Sequence, residues 1–242
     1  MNLLKKFKKK MTVGGAGSSS PRALRPSPAL KAALDIITEK LADNGKVIAY
    51  EFERLKRSPE AEWSVLEVSV AAAHPAANRY INVVPFDQNR IVLTGNGAAD
   101  YINASLLTSK AGSMPAWSYI ATQGPLAETT AQFWQMVLEQ RSSVIVMLTR
   151  VHEKQVEKCA QYFPLDLDEE IVCGTSKRAI AVKVTAVRDL DSDICMRELR
   201  LTDSLTNAQH QLFHYHYHRW GCLPLLSSWL TTASVWCYCR GS

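Results

Sequence analysis

Tyr119-Ile120-Ala121-Thr122-Gln123-Gly124-Pro125-Leu126 decides how this 242-residue chain is read. Before it stand Asn78-Arg79-Tyr80 and Asp100-Tyr101-Ile102-Asn103-Ala104-Ser105, and after it Glu153-Lys154 and Lys158-Cys159-Ala160-Gln161-Tyr162-Phe163-Pro164. Each cluster of Asn, Gly, Pro and Tyr is by itself ordinary turn chemistry. Gln123-Gly124-Pro125 predicts a tight turn into a helix over Glu128–Glu139, with Thr129 or Thr130 near its start and Phe133, Trp134, Val137 and Leu138 on the buried side. The apolar run Val144–Leu148 predicts a central strand covered on both faces. Ile180, Val182 and Val184 alternate with Ala181, Lys183 and Thr185, which predicts a strand with one wetter face, and two more are expected over Glu198–Thr202 and Phe213–Tyr217. Helices and strands mixed in this way give an α/β fold, a twisted mixed sheet flanked by helices.

With 47% apolar residues the chain can bury a sizeable core. Its formal charge of +5 belongs to one end: residues 1–30 hold seven basic side chains and no acid, leaving 21 basic against 23 acidic elsewhere. No nucleic-acid partner follows from that balance. Lys5, Lys6, Lys8, Lys9 and Lys10, followed by Gly14, Gly15, Gly17 and Ser18–Ser20, read as a flexible N-terminus. Such a leader also suits an anionic membrane, nuclear import or an organelle presequence, but lysine runs need no partner to be soluble. Ser27-Pro28 is a helix start, with Leu30, Ala33, Leu34, Ile37 and Leu41 as its apolar stripe. A second helix is expected after Asp43-Asn44-Gly45, with Val47, Tyr50 and Leu55 inward. The six cysteines contain no C-x-x-C pair and follow no secretory signal, which points to reduced thiols in the cytoplasm or nucleus. Cys237-Tyr238-Cys239 lacks the spacing of a zinc knuckle.

Taken together and in order, the segments from Asn78 to Pro164 resemble the tyrosine-specific protein-tyrosine phosphatase family, non-receptor type. That resemblance implies hydrolysis of phosphotyrosine in proteins through a cysteinyl-phosphate, without a cofactor. It also implies that the Asn78-Arg79-Tyr80 loop lines the substrate slot, with Tyr80 stacking on the substrate ring. Ala77 replaces the lysine that usually precedes the motif, and Asn82 stands where an acidic residue grips the substrate main chain. Asn82 can still accept a hydrogen bond, without a carboxylate's charge assistance. Glu153 resembles the glutamate that pairs with the phosphate-binding arginine, Lys158 the lysine near the general-acid loop, and Trp220 the tryptophan of the family's Trp-Pro-Asp. Without the resemblance, Glu153 and Lys158 read as surface charges.

The family's nucleophile needs Cys-x5-Arg, because the thiolate must sit in a ring of backbone amides while a guanidinium binds two phosphate oxygens. Six positions beyond Cys159, Cys173, Cys195 and Cys222 stand Leu165, Ala179, Leu201 and Ser228, and the last two cysteines lie too near the end. After Arg219-Trp220 comes Gly221-Cys222-Leu223-Pro224 in place of Pro-Asp. No catalytic residue is therefore assigned, and the 242 residues are expected to be inactive. The change of pattern at one residue reads as a spliced or frame-shifted terminus. The expected organisation is a flexible basic segment over 1–30, the N-terminal part of a phosphatase domain over 31–220, and a divergent apolar tail over 221–242.

His214, His216 and His218 share one strand face, as metal ligands can, but a plain sheet surface is the favoured reading and no metal is assigned. The tail is uncharged over the 17 residues Leu223–Cys239, at the short end of a membrane span. Pro224 and its Ser/Thr content argue against one, so no membrane partner is expected. The partners expected are phosphotyrosine proteins for the family, and kinases or other signalling proteins for an inactive interaction or decoy chain. An unstable product is the further alternative. The strand that delivers the family's nucleophile loop is missing, which should leave an edge and a face of the sheet uncovered unless the tail around Leu225, Trp229 and Trp236 folds back as a substitute.

Overall fold

Helix α1 spans Pro28–Ala42 and α2 spans Lys46–Lys56, with Gly45 between them at φ 80°. The computed structural model to which they belong describes residues 28–42, 45–56, 66–94, 100–108, 117–176, 178–219 and 235–240. It divides into two units, Met1–Val65 and Leu66–Ser242. In the first, Lys40 Nζ reaches both carboxylate oxygens of Glu51, at 2.7 and 2.9 Å, and links the two helices. Val47 and Tyr50, expected inward, are exposed, Tyr50 by 70%. Of the predicted stripe, Ile37 and Leu41 are exposed as well and Leu34 is half-buried.

The second unit begins with the short helix α3, Ser69–Ala73, and a 3-10 turn at Pro75–Ala77. The strands that follow are β1 (Arg90–Val92), β2 (Tyr101–Thr108) and β3 (Trp117–Thr122). Next come a 3-10 turn at Ala127–Thr129 and helix α4, Thr130–Glu139. The Thr130 hydroxyl donates to the Leu126 carbonyl at 3.0 Å and the Leu126 N–H donates to Thr129 Oγ1 at 3.0 Å, which closes the helix start. The turn lies at 127–129, one step later than predicted, and 123–126 carries no turn of its own. Phe133, Trp134 and Val137 are buried as predicted. Met136 takes the fully buried position assigned to Leu138, which packs at the margin of the core. Arg141, at φ 49°, turns the chain out of α4 into β4, Ser142–Met147.

The remaining strands are β5 (His152–Glu153), β6 (Val156–Glu157), β7 (Glu170–Gly174), β8 (Ala179–Asp189), β9 (Ile194–Asp203), β10 (Gln209–Tyr217) and β11 (Val235–Arg240). β5 and β6 form a separate hairpin, while the others make one sheet in the order β1-β2-β3-β11-β4-β10-β9-β8-β7. β10 runs parallel to β4. β11 is antiparallel to both neighbours, so β3 and β4 run parallel to each other with one strand between them. The tail therefore enters the sheet at its middle. Trp236 stands opposite Ala121 and Val146, whereas Leu225 and Trp229, named with it as the candidate patch, lie outside the described residues.

One face carries the core. Ile120, Ile145, Met147, Val182, Val184, Leu199 and Leu201 are fully buried there with Phe133, Trp134, Tyr162 and Phe163. On the other face Val144 and Val146 are only half-buried, Tyr119 is 42% and Phe213 43% exposed. β4 is thus fully covered on a single face, against the prediction of two. Register sets Leu107 opposite Tyr119 and Val144 opposite Phe213 in the apolar row of that other face, with position 238 of β11 opposite both Tyr119 and Val144.

The histidines of β10 depart furthest from expectation. His214 and His216 are buried, and they do not form a plain sheet surface. Tyr162 and Phe163 cover them: the Tyr162 hydroxyl lies 2.7 Å from His214 Nε2 and the Phe163 ring 4.3 Å from the His214 ring. His216 Nε2 bonds the Thr149 carbonyl at 2.9 Å. Arg197, from β9, stands 5.2 Å over the Phe163 ring and donates to the Leu165 carbonyl at 3.1 Å. Burial first, and the neighbouring cations second, push all three histidines toward the neutral form, His216 to about 4.

Candidate functional site

The loop expected to line a substrate slot is anchored from below by Asn78. Its Nδ2 donates to the carbonyls of Ala71 (3.1 Å) and His74 (3.2 Å). Its Oδ1 accepts from the Tyr101 hydroxyl (2.6 Å) and Asn103 Nδ2 (3.0 Å). An amide side chain has two donors and two lone pairs, so Asn78 is fully used within the fold. Burial pushes Tyr101 up to about 12, opposed by its bond to Asn78. The hydroxyl therefore stays a donor throughout the ordinary pH range.

Arg79 acts as a clamp. Nε donates to the Gly124 carbonyl at 3.1 Å, Nη2 to the Pro125 carbonyl at 2.8 Å, and Nη1 to the Glu157 carbonyl at 3.2 Å. Nη2 also meets Glu157 Oε1 at 3.4 Å. The side chain is 9% exposed, against 48% for that of Glu157. Gln123 supports it from the third segment, accepting the Arg79 N–H at 2.8 Å and donating to the Ala77 carbonyl at 3.0 Å. Gly124 is required where the segments meet, since a Cβ there would stand 2.7 Å from the Lys158 carbonyl oxygen. One guanidinium thus joins the Tyr80 loop, the 123–125 stretch and the β5–β6 hairpin.

That hairpin carries two of the expected residues. Lys154 (φ 48°) and Gln155 (φ 66°) form its two-residue turn, both left-handed as a type I′ connection requires. Glu153 is half-buried on the first strand, and Lys158 follows the second, its N–H bonded to the Val151 carbonyl at 2.8 Å. Neither carboxylate nor ammonium has an ion-pair partner among the described residues. Tyr80 is half-buried, its carbonyl accepting the Val83 N–H at 3.4 Å and its side chain with no ring or hydrogen-bond partner among the described residues, and Asn82 is exposed in the next turn. Trp220 lies outside the described residues. Asn78, Arg79, Tyr80, Glu153 and Lys158 are therefore held by one hydrogen-bonded assembly. Within it the Asn78 and Arg79 side chains bond the scaffold.

Sequence reasoning missed the supporting parts played by Gln123, Asn103 and Tyr101. Their signal was polarity in or just beyond strands that are otherwise apolar, since buried amides must find partners. At the other end of α3, the Asp87 carboxylate takes the N–H groups of Ser69 and Val70 at 2.9 and 3.2 Å and the Ser69 hydroxyl. The hydroxyl bond above all holds Asp87 below the ordinary carboxylate range.

Cys159, Cys173 and Cys195 are poor nucleophiles. Burial pushes the Cys159 thiol up to about 12 even with Arg79 nearby, and raises Cys173 and Cys195 as well. A phosphatase nucleophile needs the opposite shift. No group of His, Cys, Asp and Glu among the described residues could hold a metal ion. No helix among them is long and apolar enough to cross a membrane.

Comparison with known proteins adds to this geometry. The sequence model of the protein-tyrosine phosphatase family matches residues 74–232, running past Trp220, where the motifs themselves stop. The chain is similar to receptor-type tyrosine-protein phosphatase F of Mus musculus, 34% identical over 190 residues that make 77% of this chain and 9% of that one. The Bos taurus protein of the same name is 40% identical over the same shares. Tyrosine-protein phosphatase non-receptor type 23 of Rattus norvegicus is 34% identical over 199 residues, 82% of this chain and 13% of the relative. The chain therefore spans about a tenth of the length of the curated relatives it matches.

Proposed function

Starting from the fact that the chain belongs to the protein-tyrosine phosphatase family, we propose that these 242 residues form a non-catalytic member, a pseudophosphatase. On this proposal it acts by association with signalling proteins, kinases and phosphotyrosine proteins among them, in the cytoplasm or nucleus, and it is of the non-receptor type. The observation that carries the proposal is what stands beside β4. The position between β3 and β4 is filled by Val235–Arg240 running antiparallel to both. No cysteine of the sequence is followed six positions on by arginine. A phosphate dianion then has no cradle of amides with a guanidinium, and losing such groups costs several powers of ten in rate. The high thiol pKa of Cys159 supports the same conclusion. What persists is the frame of the slot, with Tyr80 and Asn82 at its rim as the contacts proposed for a partner.

Purified chain should hydrolyse a phosphotyrosine peptide no faster than buffer. By calorimetry it should bind that peptide no more tightly than its unphosphorylated twin, because most phosphate affinity comes from the cradle. Turnover abolished by serine at any one of the six cysteines, or a clear preference for the phosphorylated peptide, would refute the proposal.

A further inference from the structure

Tyr50, on α2, is 70% accessible and the most exposed tyrosine among the described residues. Lys46 stands four positions before it and Arg54 four positions after, so the three form one row along the helix, with neighbouring Cβ atoms about 5–6 Å apart. Both cations are exposed, and neither has an ion-pair partner among the described residues. The row therefore carries two positive charges with an uncharged phenol between them. Glu51 and Glu53 follow the tyrosine closely in sequence, Glu51 being paired with Lys40 in the folded helix. Acidic side chains just after a tyrosine suit the substrate surface of a tyrosine kinase, where charge pattern selects the substrate. At 11 residues α2 is shorter than the roughly 12–15 that an isolated helix needs in water. Around it Ile36, Ile37, Leu41, Val47 and Ile48 are all at least 39% exposed. A helix with so little buried apolar surface opens locally at small cost, which presents its tyrosine to an enzyme in extended form.

We propose that Tyr50 is a phosphorylation site, and that its phosphate orders α2 by completing the row Lys46–Tyr50–Arg54. The reaction transfers the γ-phosphoryl group of ATP to Tyr50 Oη. The new O–P bond forms as the bond to the β,γ-bridging oxygen breaks, ADP leaves, and the phenolic proton passes to the kinase's catalytic aspartate. The product carries close to two negative charges and three acceptor oxygens. It lies one helical turn from each cation, and opposite charges at that spacing stabilise a helix. Glu53, three positions on, opposes the phosphate as a like charge, but two cations against one carboxylate leave the balance attractive. The modification is then a local charge change that shifts a marginal helix toward its folded state. Tyr50 belongs to the first unit, which holds none of the slot residues, so the proposal stands apart from the question of catalysis.

The test incubates the full chain with MgATP and a purified protein-tyrosine kinase domain that takes acidic peptides. Mass spectrometry should place phosphate on Tyr50 ahead of the other seven tyrosines, and Tyr50→Phe should remove that first phosphorylation. Amide exchange across Lys46–Lys56 should slow about three- to fivefold on modification, the combined effect of two ion pairs at this spacing. A variant carrying both Lys46→Ala and Arg54→Ala should still accept the phosphate but lose the slowing. Both side chains are exposed, so the fold does not depend on them. A chain that takes no phosphate at Tyr50, with or without phosphate elsewhere, would overturn the proposal. So would a phosphorylated Tyr50 that leaves exchange along α2 unchanged or faster, or that slows it equally in the double variant.

Discussion

Replacing Arg79 by Ala should be among the most costly single changes in the second unit. The guanidinium donates to three backbone carbonyls, those of Gly124, Pro125 and Glu157, and is almost wholly buried. Each bond to a charged group contributes about 1.5–3 kcal/mol. Water at the Glu157 side can replace part of this, while the Gly124 and Pro125 carbonyls lie at the inner end of the clamp. The expected net loss is about 3–5 kcal/mol. Glu157→Gln should cost less than about 1 kcal/mol, because that carboxylate is half-exposed and its contact is long. Arg79→Lys should recover only a minority, since one ammonium cannot reach three carbonyls spread over two segments. Urea unfolding of the full-length chain, followed by tryptophan fluorescence, gives all three values if the slope is unchanged. An Arg79→Ala protein within about 1 kcal/mol of the parent would refute the clamp.

Acidification should weaken the fold before its carboxylates titrate. His216 is neutral in the folded chain down to about 4, whereas its ordinary value is 6.5. Above 6.5 both states are neutral and stability is full, and as pH falls from 6.5 to about 4 only the unfolded chain takes up the proton. The loss from this group is on the order of 3 kcal/mol, and His216→Gln should flatten the dependence in that window. Tyr162→Phe removes the bond to His214 Nε2 and leaves both imidazole nitrogens without partners, costing about 2 kcal/mol by thermal or urea melting. Gly124→Ala drives a Cβ against the Lys158 carbonyl and should cost about 1–3 kcal/mol, with proteolysis quickened at the β5–β6 hairpin.

Periodicity made α4 and the strands β8 to β10 legible, because one face of each is apolar at the right spacing. The motifs located the loop, the hairpin and the 123–126 stretch, yet not how they meet: nothing in the spacing of Arg79, Gly124 and Glu157 says that one guanidinium holds all three. His214 and His216 looked like surface because histidine among aromatics carries no sign of direction. Their burial depends on Tyr162 and Phe163, which arrive from a loop fifty residues away in sequence. Val235–Arg240 has strand composition, but its place in the sheet is a long-range pairing that local pattern does not encode. The Val47 and Tyr50 stripe failed for another reason, since amphipathic spacing marks a face that could be buried and supplies nothing to bury it.

Amide hydrogen exchange along Val235–Arg240 in the intact chain tests the central claim most directly. A strand paired on both sides, between β3 and β4, should have its amides at Trp236 to Cys239 protected to the same degree as those of Ile145 and Ile120, exchanging only with global unfolding. Exchange at those amides close to the rate of an unstructured peptide, with β3 and β4 still protected, would mean that the centre of the sheet is not closed by this strand. The account of a phosphatase-family domain whose sheet is closed between β3 and β4 by Val235–Arg240 would then be contradicted.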